Sequence, residues 1–333
     1  MDKSIFIDYD RICSFAALLV FLLAERGVGK TYGATKAVIN DFLKHGYQFV
    51  YLRRYKTELE TSVPKFFDAI IANEEFPGHT FKVKGNTFLI DDQVAGFAIA
   101  LSTSKILKST SFPLVRTIVY DEFTITTGTY RYLPHEVEDT LDIIETIGRM
   151  RDNIRVWFLG NSTTLYNPYF NYWNLSIPYE SEYKTFQDGT ILVYYAKNEA
   201  YREAKRKTKF GKLISGTKYG DFAIDNKFLQ DSNSFVHKRP AYAKLFFNLK
   251  LEGNTFGIWF DNDGFFYVSN DYDPDSKLNF AFTKDDHTET TILSSRVDTI
   301  IKNLIERYKE SHLVFESMVI KSTMINCLLR YVN

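Results

Sequence analysis

The sequence predicts an α/β fold followed by a smaller α+β domain, and three observations carry that expectation. An apolar run over residues 15–24 breaks at a glycine-rich turn, gives way to a helix-period segment and returns to an apolar run at Phe49-Val-Tyr-Leu52. Strands and helices keep alternating to about residue 165, which makes a mainly parallel sheet. From about residue 240, three apolar segments separated by short turns predict an antiparallel meander.

Taken in order, residues 15–24 are ten apolar residues, half of the about 20 that a membrane span needs. Asp2, Asp8 and Asp10 ahead of them are also wrong for a signal peptide, so the run reads as a strand buried on both faces. The turn Arg26-Gly-Val-Gly29 follows, then a helix over 30–44 with Ala34, Ala37, Val38 and Leu43 on one side, stopped by His45-Gly46. The strand Phe49–Leu52 completes a βαβ unit. Phe81–Lys84, Gly85-Asn86 and Thr87–Ile90 have hairpin form, and a further strand runs over Val94–Leu101. Thr117–Tyr120 is a short strand ending at Asp121-Glu122; 136–148 is an amphipathic helix; Val156–Leu159 is a strand ending near Asn161. Residues 166–195 are rich in Tyr and Asn. The meander is Ala243–Leu251, Thr255–Phe260 and Phe265–Ser269, and two helices close the chain. The expected division is an α/β domain over 1–196, a basic linker over 197–238 and a second domain over 239–333.

Lys plus Arg and Asp plus Glu are 41 each, so the formal charge is zero. Neutrality argues at first against a phosphate-rich partner, but it is a cancellation. Residues 197–218 hold eight basic residues against Glu199 and Glu203, while 121–145 and 261–291 are each strongly acidic. A nucleic-acid partner therefore stays open. Two cysteines, Cys13 and Cys327, make no disulfide framework and no zinc motif, which fits a reducing compartment.

The strongest motif is Ala24-Glu-Arg-Gly-Val-Gly-Lys-Thr31, a phosphate-binding loop with Ala where the first Gly often sits. Backbone N–H groups of Glu25, Arg26, Gly27, Val28 and Gly29 and of the helix start would cradle phosphates. Lys30 would reach the β- and γ-phosphates, and Thr31 would ligate Mg²⁺. Asp121, at the tip of its strand, would hold the metal, and Glu122 would orient and deprotonate the attacking water. That adjacent glutamate favours an NTP-hydrolysing motor over a kinase. Arg149, in Gly148-Arg-Met-Arg151, is either an arginine finger for a neighbouring subunit or a favourable charge at a helix C-terminus. Asn161 is either a γ-phosphate sensor or a turn residue. Arg53, Arg54 and Lys56, interleaved with Tyr51 and Tyr55, suit phosphate contacts, an ion pair with Glu122 or plain solvation.

At these residues the sequence resembles the genome-packaging ATPases of small, phi29-type tailed phages. The shared stretches are Arg26–Thr31, Phe49–Lys56, Ile118–Phe123, Asn167-Pro-Tyr-Phe170, Arg206–Ile214, Gly216–Gly220 and Asp225–Phe228. The resemblance implies an ASCE-type P-loop NTPase domain joined to a smaller ribonuclease-H-like domain that has lost its nuclease site. It implies a homopentameric ring motor that uses ATP and Mg²⁺ to drive double-stranded DNA through the capsid portal. It further implies a possible scaffold RNA, no membrane partner, residence in the host cytoplasm with transient docking at the portal vertex, and absence from the mature virion. By motif position Lys30, Thr31, Asp121 and Glu122 look like the nucleotide, metal and catalytic residues. Arg149 and Lys108 look like trans-acting basic residues, and Arg53 like a partner holding Glu122 away from water. Lys56, Lys205, Arg206, Lys207 and Lys209 are the candidate nucleic-acid contacts. The alternatives are a packaging enzyme with an active C-terminal nuclease and a P-loop nucleic-acid translocase outside packaging. Against the first, Ala243–Leu251 carries no acid until Glu252, and Asp261, Asp263, Asp271, Asp273 and Asp275 read as solvated turn residues.

Overall fold

A computed structural model describes the chain except for residues 1–6, 105–109, 126–131, 134, 162–166, 174, 179–180, 218, 221–223, 225–234, 295–298, 311 and 333. It divides into two compact units, Met1–Thr163 with Ile177–Leu229, and Thr164–Ser176 with Gln230–Asn333.

The first unit runs α1 (Tyr9–Ser14), β1 (Leu19–Ala24), α2 (Lys30–His45), β2 (Gln48–Arg53), α3 (Lys56–Ser62), a 3₁₀ turn at Val63–Lys65, α4 (Asp68–Ala72), β3 (Phe81–Lys84), β4 (Thr87–Ile90), β5 (Gln93–Ala100), β6 (Val115–Asp121), α5 (Glu136–Gly148) and β7 (Arg155–Asn161). After an excursion to the other unit, which holds α6 (Pro168–Tyr172), it resumes with β8 (Tyr183–Phe186), β9 (Ile191–Tyr195), α7 (Glu199–Lys207) and α8 (Lys209–Ile214).

Nine strands form one sheet in the order β3-β4-β5-β2-β6-β7-β1-β9-β8. The six from β5 to β9 are mutually parallel, and the antiparallel pairs lie at the two edges. β1 is buried at all six positions, as a central parallel strand must be. One strand, β7, separates β1 from β6, so the loop after β1 and the acids after β6 open at the same sheet edge.

Three features differ from the sequence expectation. The apolar run begins as a helix end and a turn, because Ala16 takes a left-handed φ of 51° and the strand starts only at Leu19. Ile191–Tyr195, in the stretch read only as Tyr- and Asn-rich, is a buried strand pairing with β1. The basic segment after residue 196 is no free linker through residue 214: α7 and α8 fold with the first unit, while Asn167-Pro-Tyr-Phe170 folds with the second. Asn167 caps α6 by accepting from the Phe170 N–H, with Pro168 in the first turn.

In the second unit, β10 (Lys244–Leu251), β11 (Asn254–Phe260) and β12 (Phe266–Ser269) form the predicted meander. β13 (Asn279–Ala281), β14 (Ile292–Leu293), α9 (Thr299–Lys309), β15 (Leu313–Phe315) and α10 (Met318–Val332) follow. The sheet order is β14-β13-β10-β11-β12-β15, with β13, β14 and β15 added in parallel. Phe247, Leu249, Ile258, Val268, Phe315 and Met324 are among its core residues. Asp261 is not a solvated turn acid. It is buried and accepts from the Asp263 and Phe265 N–H groups and the Tyr267 hydroxyl. Cys13 and Cys327 are both free thiols.

Candidate active site

The loop after β1 turns on two glycines in the left-handed region, Gly27 at φ 98° and Gly29 at φ 76°. A side chain is strained at either position, and a Cβ on Gly27 would sit 2.4 Å from the Tyr201 hydroxyl. Val28 between them is fully buried and anchors the loop in the core. α2 therefore begins at Lys30 with its first N–H groups facing the loop, which suits an anion. The Lys30 ammonium curls back to donate to the carbonyls of Ala24 (3.1 Å) and Glu25 (2.8 Å) and to Oδ1 of Asn161 (2.9 Å). Burial pushes its pKa down to about 8, although Asp121, Glu25 and Glu122 pull the other way. The buried Tyr9 hydroxyl donates to the Lys30 carbonyl at 2.7 Å and steadies the helix start.

Thr31 donates its hydroxyl to both Asp121 oxygens, at 3.0 and 3.1 Å. Tyr51, on β2, donates to the same carboxylate at 3.1 Å. Asp121 is buried, and burial raises its pKa despite the nearby Arg53. A threonine hydroxyl and a single buried carboxylate are hard oxygen donors. They fit Mg²⁺, which uses few protein ligands and takes the rest from phosphates and water. Among the described residues no cluster of three His, Cys, Asp or Glu offers a closed metal site.

Glu122 follows at φ 56°, an uncommon left-handed conformation for a residue with a side chain, and the turn carries its carboxylate out over the cavity. Arg53 Nη2 donates to Glu122 at 2.7 Å and to Glu58 at 3.1 Å, and Nη1 lies 3.6 Å from Asp121. Burial opposes the charge on Arg53, but Tyr51, Asp121, Glu122 and Glu58 more than offset it and hold the guanidinium protonated. Arg26, Gly27, Gly29, Lys30, Thr31, Asp121, Glu122 and Asn161 line one cavity of about 250 Å³.

The segment Tyr51–Lys56 is therefore not a basic surface patch. β2 lies inside the sheet, so Arg53 and Arg54 are buried in ion pairs and Lys56 alone of the three is exposed. The basic helix α7 is also partly spent on the loop. Arg202 donates to the fully buried Glu25 at 2.6 Å, while the Tyr201 hydroxyl (3.0 Å) and the Lys205 ammonium (3.1 Å) donate to the Arg26 carbonyl. Arg206 pairs with Glu199 at 3.1 Å, and Lys207 and Lys209 are exposed. Sequence reasoning missed Tyr9, Glu58, Tyr201 and Arg202, and named Tyr51 only as an aromatic beside the cations. The spacing of Tyr201, Arg202 and Lys205 on one turn of a helix was the available signal for the last contact.

Arg149 caps α5 at φ 48°, exposed and without a side-chain partner among the described residues. It does not line the cavity of its own chain. Arg151 holds that corner by donating to the carbonyls of Phe112, Pro113 and Val115. Lys108 and the stretch Asp225–Phe228 lie outside the described residues.

Comparison with known proteins agrees with this geometry. The sequence matches the family described as Podovirus DNA encapsidation protein (Gp16) over residues 1–331. It is 36% identical to the DNA packaging protein of Bacillus phage phi29 over 325 residues, 97% of this chain and 96% of that one. It is 37% identical to the DNA packaging protein of Bacillus phage B103 over 319 residues, 95% of this chain and 96% of that one. Among solved structures it is similar to the bacteriophage phi29 viral genome packaging motor assembly, with a TM-score of 0.77 at 34% identity, covering 99% of this chain and 100% of that one. The N-terminal domain of the DNA packaging ATPase from bacteriophage phi29 superposes with a TM-score of 0.54 at 36% identity, over 59% of this chain and 98% of that one.

Proposed function

The chain belongs to the podovirus DNA encapsidation protein family, and from that premise we propose a DNA-packaging motor that hydrolyses ATP at the pocket between the β1 loop and β6. Its function is to move phage DNA into a capsid. The observation that carries the chemical reading is the convergence of Lys30, Thr31, Asp121 and Asn161 on one cavity, with Glu122 held at its mouth by Arg53.

On this reading the loop N–H groups and Lys30 bind the β- and γ-phosphates, and Asn161 exchanges its contact with Lys30 for one with the γ-phosphate. Thr31 and Asp121 hold Mg²⁺, which would neutralise charge developing on the phosphate oxygens. Glu122, once released by Arg53, accepts the proton of the attacking water, and its carboxylate is 58% exposed and can swing. Arg149 acts in trans on the next subunit's nucleotide, as does Lys108. The homology to a motor assembly supports an oligomeric ring docked on the portal. We take that ring to be a homopentamer, with double-stranded DNA as substrate and a scaffold RNA as a possible partner. It would work in the host cytoplasm at the portal vertex and leave before the virion matures.

The second unit reads as a ribonuclease-H-like domain without a nuclease site. Its meander, flanked by β13 and β14 on the β10 side, supports the fold. The facing polar residues on β10 and β13 are amides, Asn248 and Asn279, joined at 2.8 Å, where metal-dependent hydrolysis would need carboxylates.

The test is ATP hydrolysis by the purified chain with and without double-stranded DNA, beside Glu122→Gln and with a supercoiled plasmid in Mn²⁺. DNA-stimulated hydrolysis abolished by Glu122→Gln, with the plasmid intact, is the expected result. Cut plasmid would favour the nuclease reading, and no hydrolysis at all would sink the ATPase reading.

A further inference from the structure

Arg54 lies immediately after the arginine that grips the Glu122 side chain, and it grips the Glu122 backbone. Its guanidinium is almost fully buried. Nε and Nη2 form a two-pronged ion pair with Glu136, at 2.7 and 2.8 Å. The same group donates from Nη2 to the Phe123 carbonyl at 2.5 Å and from Nη1 to the Glu122 carbonyl at 3.3 Å. Glu136, the first residue of α5, is buried too and also accepts from the Tyr120 hydroxyl and the Leu133 N–H, both at 2.9 Å. On its other side the turn is held by the Phe123 N–H, which donates to the Leu159 carbonyl at 3.1 Å.

We propose that Arg54 and Glu136 are positioning residues for the Glu122 carboxylate. Glu122 leaves β6 in the left-handed region, so its carbonyl and that of Phe123 turn away from the strand ladder and need donors elsewhere. A buried, bidentate guanidinium supplies both from a rigid fork. Arg53 and Arg54 thus hold one acid at its two ends. Arg53 grips an exposed carboxylate that can leave, whereas Arg54 has no solvent route by which to let go. Releasing the side chain then swings Glu122 about a fixed backbone, so the carboxylate returns to one place relative to the cavity on every cycle. A misplacement of about 1 Å at a reacting group costs about a hundredfold in rate.

The inference rests on Glu122 acting on water, so wild type and Glu122→Gln run in parallel. Arg54→Lys keeps the charge facing Glu136 but has no fork to serve the two carbonyls. Single-turnover ATP hydrolysis in double-stranded DNA should fall about a hundredfold. Affinity for a fluorescent ATP analogue should stay close to wild type, giving a loss in kcat without a change in KM. A folded Arg54→Lys protein that hydrolyses at the wild-type rate, or loses affinity as much as rate, overturns the proposal. If Arg54→Lys does not fold, Tyr120→Phe decides: it keeps the ring and removes the hydroxyl that donates to Glu136, and a drop in kcat at constant KM supports the proposal while an unchanged kcat overturns it. A wild type without hydrolysis would instead overturn the ATPase reading itself.

Discussion

Arg53 and Glu122 form an ion pair of unequal partners: the guanidinium is 10% exposed, the carboxylate 58%, and they meet at 2.7 Å. The arginine is pinned from behind by Glu58 and faces Asp121, so it stays when the pair opens. A pair with one partner in solvent is worth up to about 1 kcal/mol, a population ratio of about five. That suits a switch, since a modest signal from engaged DNA would suffice to open it.

Arg53→Ala should therefore raise the DNA-independent rate of ATP hydrolysis by up to about fivefold and bring the ratio of rates with and without DNA close to one. Arg53 lowers the pKa of the buried Asp121, so its loss lets that pKa rise further. The acid limb of the pH–rate profile should move to higher pH, and the ratio is read on the plateau beyond that limb. A stimulation ratio equal to wild type would remove Arg53 from the coupling.

Lys30 has a pKa of about 8 in the empty pocket because burial disfavours its charge. Phosphates favour the ammonium, so nucleotide binding raises that pKa. Binding should take up a proton above about pH 8 and none at pH 6.5. Affinity should be full below pH 8 and fall as pH climbs towards the bound-state pKa. Calorimetry in two buffers of different ionisation enthalpy reads the uptake directly. A heat independent of buffer at pH 8.5 would show that Lys30 is already charged in the free protein.

Glu25 is fully buried and Arg202 supplies its countercharge. Arg202→Ala should cost about 3 kcal/mol at pH 7, the low end for breaking a buried pair because Arg202 is partly exposed. The pKa of Glu25 is already raised by burial, and losing Arg202 raises it again. A carboxyl whose folded pKa lies above its unfolded value loses stability as pH rises through that folded value. The penalty should therefore shrink on going from pH 7 to pH 5, as Glu25 moves towards protonation in the variant. Glu25→Gln in the Arg202→Ala background should recover most of the loss at pH 7. Urea melts at the two pH values measure both effects, and a pH-independent penalty would point to lost packing instead.

The β1 loop and the β6 acids were legible because phosphate chemistry demands glycines, lysine and a carboxylate at fixed offsets from strand ends, and local pattern records such offsets. Arg54 was not. A charge just past a strand reads as a surface residue, and its partner Glu136 stands 82 residues away as an ordinary acid in a first helical turn. Arg202 reaches Glu25 across 177 residues, a contact that no local periodicity encodes. The same limit hid the crossing of residues 164–176 into the second unit. α6 has a clear start signal in Asn167-Pro168, but nothing local says which core it joins. Its Asn171 meets Thr323 of α10 at 2.7 Å.

Arg149 offers the sharpest test of a shared site. Its side chain is exposed at the strained end of α5, outside its own cavity, so a role in catalysis needs a second copy. Arg149→Ala keeps Glu122, and Glu122→Gln keeps Arg149; each protein alone should be inactive. In a ring with head-to-tail contacts, an equal mixture would place an intact Glu122 beside an intact Arg149 at about one interface in four. ATP hydrolysis should reappear on mixing, reach a maximum near equal amounts and vanish at either extreme. Restored activity is hard to produce any other way, because neither chain can complete a site within itself. A mixture as inactive as its components, at concentrations where wild type assembles and hydrolyses, would return Arg149 to the plainer role of a charge at a helix C-terminus.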